Sequence, residues 1–122
     1  RYTFSEAVGM IQIIGTKQCN ETKKAIRFCR EARIAHHFVD LNERSLSPGE
    51  IASILTTYRA EELIDTASKV YRKEGYAYRV YDPLEELREK PALHKTPIIR
   101  FRGKTHLGYD EAILRAWGAS DA

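Results

Sequence analysis

The residue in this chain best placed to do chemistry is Cys19. It follows the apolar run Ile11-Gln12-Ile13-Ile14 and the turn-like Gly15-Thr16-Lys17-Gln18, and it leads directly into Asn20-Glu21-Thr22-Lys23-Lys24-Ala25. That order reads as strand, turn, thiol, helix. A cysteine at the mouth of a helix faces unpaired backbone N–H groups and the positive end of the helix dipole. Both favour the thiolate, which is the nucleophilic form. Lys17 adds a positive charge nearby in sequence. The expected chemistry is attack by the Cys19 thiolate on a sulfur or an oxyanion.

Cys29 reads differently. Thr22, Ala25, Ile26, Cys29 and Ala32 recur at spacings of three and four, the stripe of a helix laid on a sheet, over an expected Asn20 to Arg33. On that stripe Cys29 is a small buried hydrophobe. About ten helical residues separate the two cysteines, roughly 15 Å of helix. A disulfide needs Cα atoms within about 7 Å. No internal bridge is expected, and with no secretory leader recognisable, a reducing cytoplasm is the expected compartment. Lys23, Arg27 and Arg30 occupy another face, which reads as a solvated surface, with a nucleic-acid or partner contact as the alternative.

The elements around the thiol follow from pattern. Met10 to Ile14 is a strand candidate ended by Gly15, and Ile34 to Leu41 is a second, joined to it by the helix as a parallel βαβ unit. His36 and His37 would point to opposite faces of that strand, with no cysteine or histidine at a zinc-like spacing, so no metal site is expected. Ser47-Pro48-Gly49-Glu50 has the capping serine, first-turn proline and third-position glutamate of a helix start. Short helices are expected over Ala60 to Ile64, over Ser68 to Glu74 with Asp65-Thr66 as capping groups and Gly75 as the stop, and from Asp82-Pro83 to Lys90. Gly75 to Tyr81 reads either as a strand or as a loop that packs its tyrosines. Ile98 to Phe101, a turn at Arg102-Gly103-Lys104 and Thr105 to Leu107 read as a β-hairpin. Asp110 caps a last helix, Glu111 to Trp117, with Gly118 as its end.

The chain has 122 residues, 43% hydrophobic and 30% charged, with a formal charge of +3. That fits one domain, read as residues 10–118, preceded by an extension or fusion remnant over 1–9 and followed by a tail over 119–122. No apolar run approaches the roughly 20 residues of a membrane helix. The mild positive charge suits an anionic thiol such as glutathione or an oxyanion. It is far short of a nucleic-acid arm, and without a helix-turn-helix, zinc finger or continuous basic helix no direct nucleic-acid recognition is expected.

From about Met10 to Gly118 the chain resembles the family of ArsC-type arsenate reductases, Spx-type regulators and their glutaredoxin-like relatives. The resemblance rests on Gly15 to Ala25, Asp40-Leu41, Asp65 to Gly75, Pro91 to Ile99 and Gly108-Tyr109. It implies an α/β, thioredoxin-like fold, βαβ then ββα, with a helical insertion between the halves. Cys19 matches the family's nucleophilic cysteine, and Thr22 stands where the C-x-x-C regulators carry their second one. Pro97 matches the fold's cis-proline, with Thr96 backbone available to an extended peptide. The chain thus resembles a monothiol member, with Cys19 catalytic and Lys17, Asn20, Thr22, Lys95, Thr96 and Pro97 as thiol- or substrate-binding residues. No bound cofactor is implied. The implied partner is glutathione or a glutaredoxin- or thioredoxin-type donor that resolves the Cys19 adduct. ArsC-type reductases carry an arginine before that proline, where this chain has Thr96, and Glu61 falls near the position of another oxyanion arginine. The alternative implied by the Spx-type members is a regulator that docks on RNA polymerase or another protein without catalysis.

Overall fold

Strand β1 (Ile11–Gly15) is buried along its whole length because it lies inside the sheet, flanked by β2 (His36–Asp40) on one side and β3 (Ile98–Phe101) on the other. In the computed structural model the described residues are 10–119; the expected extension over 1–9 and residues 120–122 of the expected tail lie outside them. These residues fall into two compact units, one built from the chain up to Asp40 together with the part from Thr96 onward, the other from Leu41–Lys95.

In the first unit β1 pairs parallel with β2, Ile11 opposite His36, and antiparallel with β3, Ile13 opposite Ile99; β3 then pairs antiparallel with β4 (Lys104–Leu107). The strand order is β2-β1-β3-β4. The β3–β4 turn has Arg102 at φ 48° and Gly103 at φ 81°. Two consecutive positive φ angles are what a two-residue hairpin matched to strand twist requires, and glycine supplies one of them without a Cβ penalty. Helices α1 (Asn20–Glu31) and α5 (Glu111–Ala119) put Ala25, Cys29, Leu114 and Trp117 against Ile11, Ile13, Ile99 and Phe101. The alternation of a strand sends Gln12 and Arg100 to the opposite face of the sheet. They are cross-strand partners, only 2% exposed, and Arg100 Nη1 donates to Gln12 Oε1. A buried guanidinium needs such an acceptor to offset its lost hydration.

The insert, 41–95, carries α2 (Pro48–Leu55), α3 (Lys69–Lys73) and α4 (Pro83–Glu89), with 3-10 turns at Ala60–Leu63, Tyr76–Tyr78 and Pro91–Leu93. The capping box of α2 is complete: Glu50 N–H donates to Ser47 Oγ, Ser47 N–H donates to Glu50 Oε1, and Arg44 holds the same carboxylate through Nη1 and Nη2. Leu41, Leu46, Ile54, Leu63, Leu87 and Leu93 are buried. Leu41, Leu46, Ile54, Leu63 and Leu87 also line a cavity of about 40 Å³, together with His94.

This is the α/β, thioredoxin-like fold, βαβ then ββα with a helical insertion, that the sequence leads one to expect. Several local expectations change. Helix α1 ends at Glu31 rather than Arg33, because Arg33 turns the chain at φ 58° and Ile34 N–H closes back on Cys29 O. Ala32 therefore leaves the apolar stripe and is exposed. The strand alternative for Gly75 to Tyr81 is overturned: Gly75, at φ 68°, opens a 3-10 turn, Tyr76 is buried with its hydroxyl donating to Glu86, and Tyr78 and Val80 are fully exposed. Ser68, not Asp65-Thr66, caps α3, accepting from Tyr71 N–H. Gly118 lies inside α5 rather than ending it; a Cβ there would stand 2.8 Å from Ile34. Close packing, not a turn, is its reason. Among the described residues no helix is long and apolar enough to cross a membrane.

Candidate thiol site

Cys19 is the N-cap residue of α1, held extended at φ −82°, ψ 118°. Its N–H bonds back to Thr16 O at 3.2 Å, closing the turn after β1, and its carbonyl accepts from Lys23 N–H at 3.1 Å, starting the helix. An N-cap leaves the following N–H groups without helical acceptors. Here those donors meet the sulfur. Burial pushes the Cys19 thiol up, but hydrogen bonds from Thr22 and Thr96 and from the backbone N–H groups of Thr22 and Glu21 outweigh it, so the pKa lies below the ordinary thiol value. Protonated, the sulfur donates to Thr96 O across 3.5 Å.

Thr22 lies one helical turn on, wholly buried, and its Oγ1 has no hydrogen-bond partner among the described residues, which leaves the hydroxyl available to donate to the ionised sulfur. It is seated against Gly15, where any Cβ would collide with Thr22 Oγ1 and Cγ2. The glycine at the end of β1 thus lets a threonine side chain lie flat beneath the thiol.

Thr96 is half-buried and Pro97 buried, and the bond between them is cis. Pro97 O accepts from Gly108 N–H at 2.8 Å, which fixes the loop after β4 beside the platform. The next N–H, of Tyr109, donates to Glu21 Oε1 at 3.2 Å. The fold therefore brings Cys19, Thr22, Thr96 and Pro97 together. Lys17 and Asn20 flank the thiol in sequence with exposed side chains. Lys95 is exposed and belongs to the insert, where its N–H donates to Leu63 O. Glu21, Gly108 and Tyr109 are tied to this group through the bonds to Pro97 O and Glu21 Oε1, although as site residues they are not evident from pattern. Glu21 reads in sequence as an ordinary first-turn acid, and only the return of the β4 loop reveals its partner.

Cys29 is fully buried, and burial alone pushes its thiol up to about 11. Both cysteines are free. The two thiols of the chain are thus driven in opposite directions by their surroundings.

The profile described as ArsC family matches residues 14–117. A global transcriptional regulator Spx from Streptococcus pyogenes serotype M3 is 31% identical over 105 residues, 76% of this chain and 78% of that protein. Among solved structures, an arsenate reductase (ArsC) related protein from Brucella melitensis is 26% identical with a TM-score of 0.66, covering 88% of this chain and 92% of its own. An arsenate reductase from Vibrio cholerae shares the fold, with a TM-score of 0.71 at 16% identity over 88% of this chain and 97% of that one.

Proposed function

From the premise that this chain belongs to the ArsC family, we propose that it is a glutaredoxin-like, thiol-dependent oxidoreductase with the Cys19 thiolate as nucleophile and glutathione as the resolving thiol. The observation that carries this reading is the Cys19 sulfur itself, its pKa lowered by hydrogen bonds, beside the cis Thr96-Pro97 bond. Cys19 attacks the mixed disulfide RS–SG at the glutathione sulfur, forming Cys19–S–SG and releasing RS⁻, which takes up a proton. A second glutathione thiolate then attacks this adduct, forming oxidised glutathione and returning Cys19 as thiolate. The sum is RS–SG plus glutathione giving RSH plus oxidised glutathione. No second protein thiol is needed, which suits a chain with Thr22 at the third position after Cys19.

Thr22 Oγ1 and the first-turn N–H groups hold the negative sulfur between turnovers. The Thr96 backbone pairs with the extended peptide, and Lys17 offers an ammonium group to its carboxylates, with Asn20 as a polar neighbour. An arginine fork for a tetrahedral oxyanion is not supplied by Thr96, and a lysine point charge does not reproduce its bidentate contact. Thiol exchange is therefore favoured over arsenate reduction. The test compares wild type with Cys19→Ser for glutathione adduct formation, arsenate reduction and turnover of a small disulfide. Loss of adduct and disulfide turnover in the variant is expected; activity that survives it overturns the assignment.

A second reading has its own support in the likeness to Spx regulators: a non-catalytic domain that docks on RNA polymerase. Lys23, Arg27 and Arg30 on α1 are all exposed. Binding of purified polymerase, lost on replacing these three residues but kept in Cys19→Ser, would favour it over the enzyme.

A further inference from the structure

Hydrogen bonds tie the Cys19 sulfur to the loop after β4 and that loop back to the helix Cys19 caps. The sulfur reaches Thr96 O, the adjoining Pro97 O accepts from Gly108 N–H, and the next N–H in the chain, of Tyr109, donates to Oε1 of Glu21, two residues after Cys19. The Tyr109 ring packs edge-on against Phe28 of the same helix, centroids 6.5 Å apart, so the loop is held at two points. One carboxylate oxygen of Glu21 is thus engaged. Glu21 is exposed and forms no ion pair among the described residues. A carboxylate in the first turn interacts well with the helix dipole. Beside a thiolate, however, it adds a second negative charge where the reaction already places one. A cation supplied by the substrate relieves that conflict.

We propose that Glu21 is a specificity-determining residue of the Cys19 site, selecting thiols and disulfides that carry a free α-ammonium group, as the γ-glutamyl end of glutathione does. This rests on the glutathione reading above and adds to it the end of the ligand that is recognised. Glu21 Oε1 stays with Tyr109 N–H and keeps the β4 loop in place, while Oε2 receives the ammonium. The γ-glutamyl carboxylate shares its carbon with that ammonium and turns away from Glu21, and the glycine carboxylate lies at the other end of the peptide. An exposed pair of this kind contributes up to about a fivefold difference in affinity.

The experiment measures the rate at which Cys19 forms its mixed disulfide with oxidised glutathione and with N-acetylated oxidised glutathione, in wild type, Glu21→Gln and Glu21→Ala. The glutamine retains an oxygen for Tyr109 N–H but not the charge. Alkylation by neutral iodoacetamide in each variant reads the thiolate independently of any ammonium. The expected result is a threefold to fivefold preference of wild type for the free amine, reduced to about one in Glu21→Gln; because the preference is a ratio of two disulfide rates, any change in thiolate that the iodoacetamide rate reports for the variant cancels from it. A preference that persists in Glu21→Gln, its absence in wild type, or an equal loss with both disulfides overturns the inference while leaving Cys19 as a glutathione-reactive thiol. No reaction of wild type with either disulfide, despite rapid alkylation, overturns the glutathione reading and this inference with it.

Discussion

The Cys19 thiol meets the Thr96 carbonyl at 3.5 Å, although the two residues are 77 positions apart. One belongs to the first crossover of the sheet and the other enters β3 through a cis bond to Pro97. Their meeting sets a helix-capping cysteine beside the cis Thr96-Pro97 bond.

Of the two side chains that lower the Cys19 pKa, Thr22 and Thr96, Thr22 is the nearer in sequence. Removing its hydroxyl in Thr22→Val leaves the shape but deletes one hydrogen bond to the thiolate, a net effect of about 0.5–1.5 kcal/mol. The alkylation profile of Cys19 should move to higher pH and its rate at neutral pH should fall roughly threefold to tenfold, whereas Thr22→Ser should stay near wild type. An unchanged profile in Thr22→Val would assign the lowered pKa to the backbone donors and Thr96 alone.

Gly15 governs the same sulfur at one remove. In Gly15→Ala the added methyl collides with Thr22 Oγ1 and Cγ2, and overpacking of this kind costs about 1–3 kcal/mol. Denaturant melts should show that loss together with slower Cys19 alkylation. A stability loss without any change in thiol reactivity would separate the glycine from the site.

His94 makes the insert sensitive to acid. It is buried with no partner for Nδ1, and desolvation pushes its pKa down to about 4 from 6.5. Between those values the unfolded chain binds a proton that the folded chain does not, so stability is fully present above pH 6.5 and is lost as pH falls toward 4. The loss is on the order of 3 kcal/mol. Denaturation midpoints across this range should fall in wild type and fall less in His94→Gln.

The two cysteines should separate cleanly under alkylation. With Cys29 wholly buried and its thiol pushed up to about 11, the native protein at neutral pH should take up one label and the unfolded protein two. Mass spectrometry of the native Cys19→Ser variant should find none; labelling of Cys29 there would show that its burial is readily lost.

Short-range physics made much of this molecule readable before any coordinates. Strand, turn, cysteine and helix follow one another along Ile11 to Ala25, the capping box of Ser47 and Glu50 forms as spaced, Cys29 lies on the buried stripe, and the hairpin from Ile98 turns where Gly103 allows it. Each depends on groups within a few residues of one another, where backbone geometry leaves little choice. Tertiary structure decided the rest: that Gly118 is a packing glycine under Ile34, that Tyr76 turns inward while Tyr78 turns out, and that Glu21 reaches Tyr109 across 88 positions. Those relationships are made by elements that meet only once the sheet has formed. The thiolate-favouring helix start at Cys19 is thus local and written in the chain, whereas the Thr96, Pro97 and Gly108 surroundings of the sulfur come from bringing β3 and β4 beside β1.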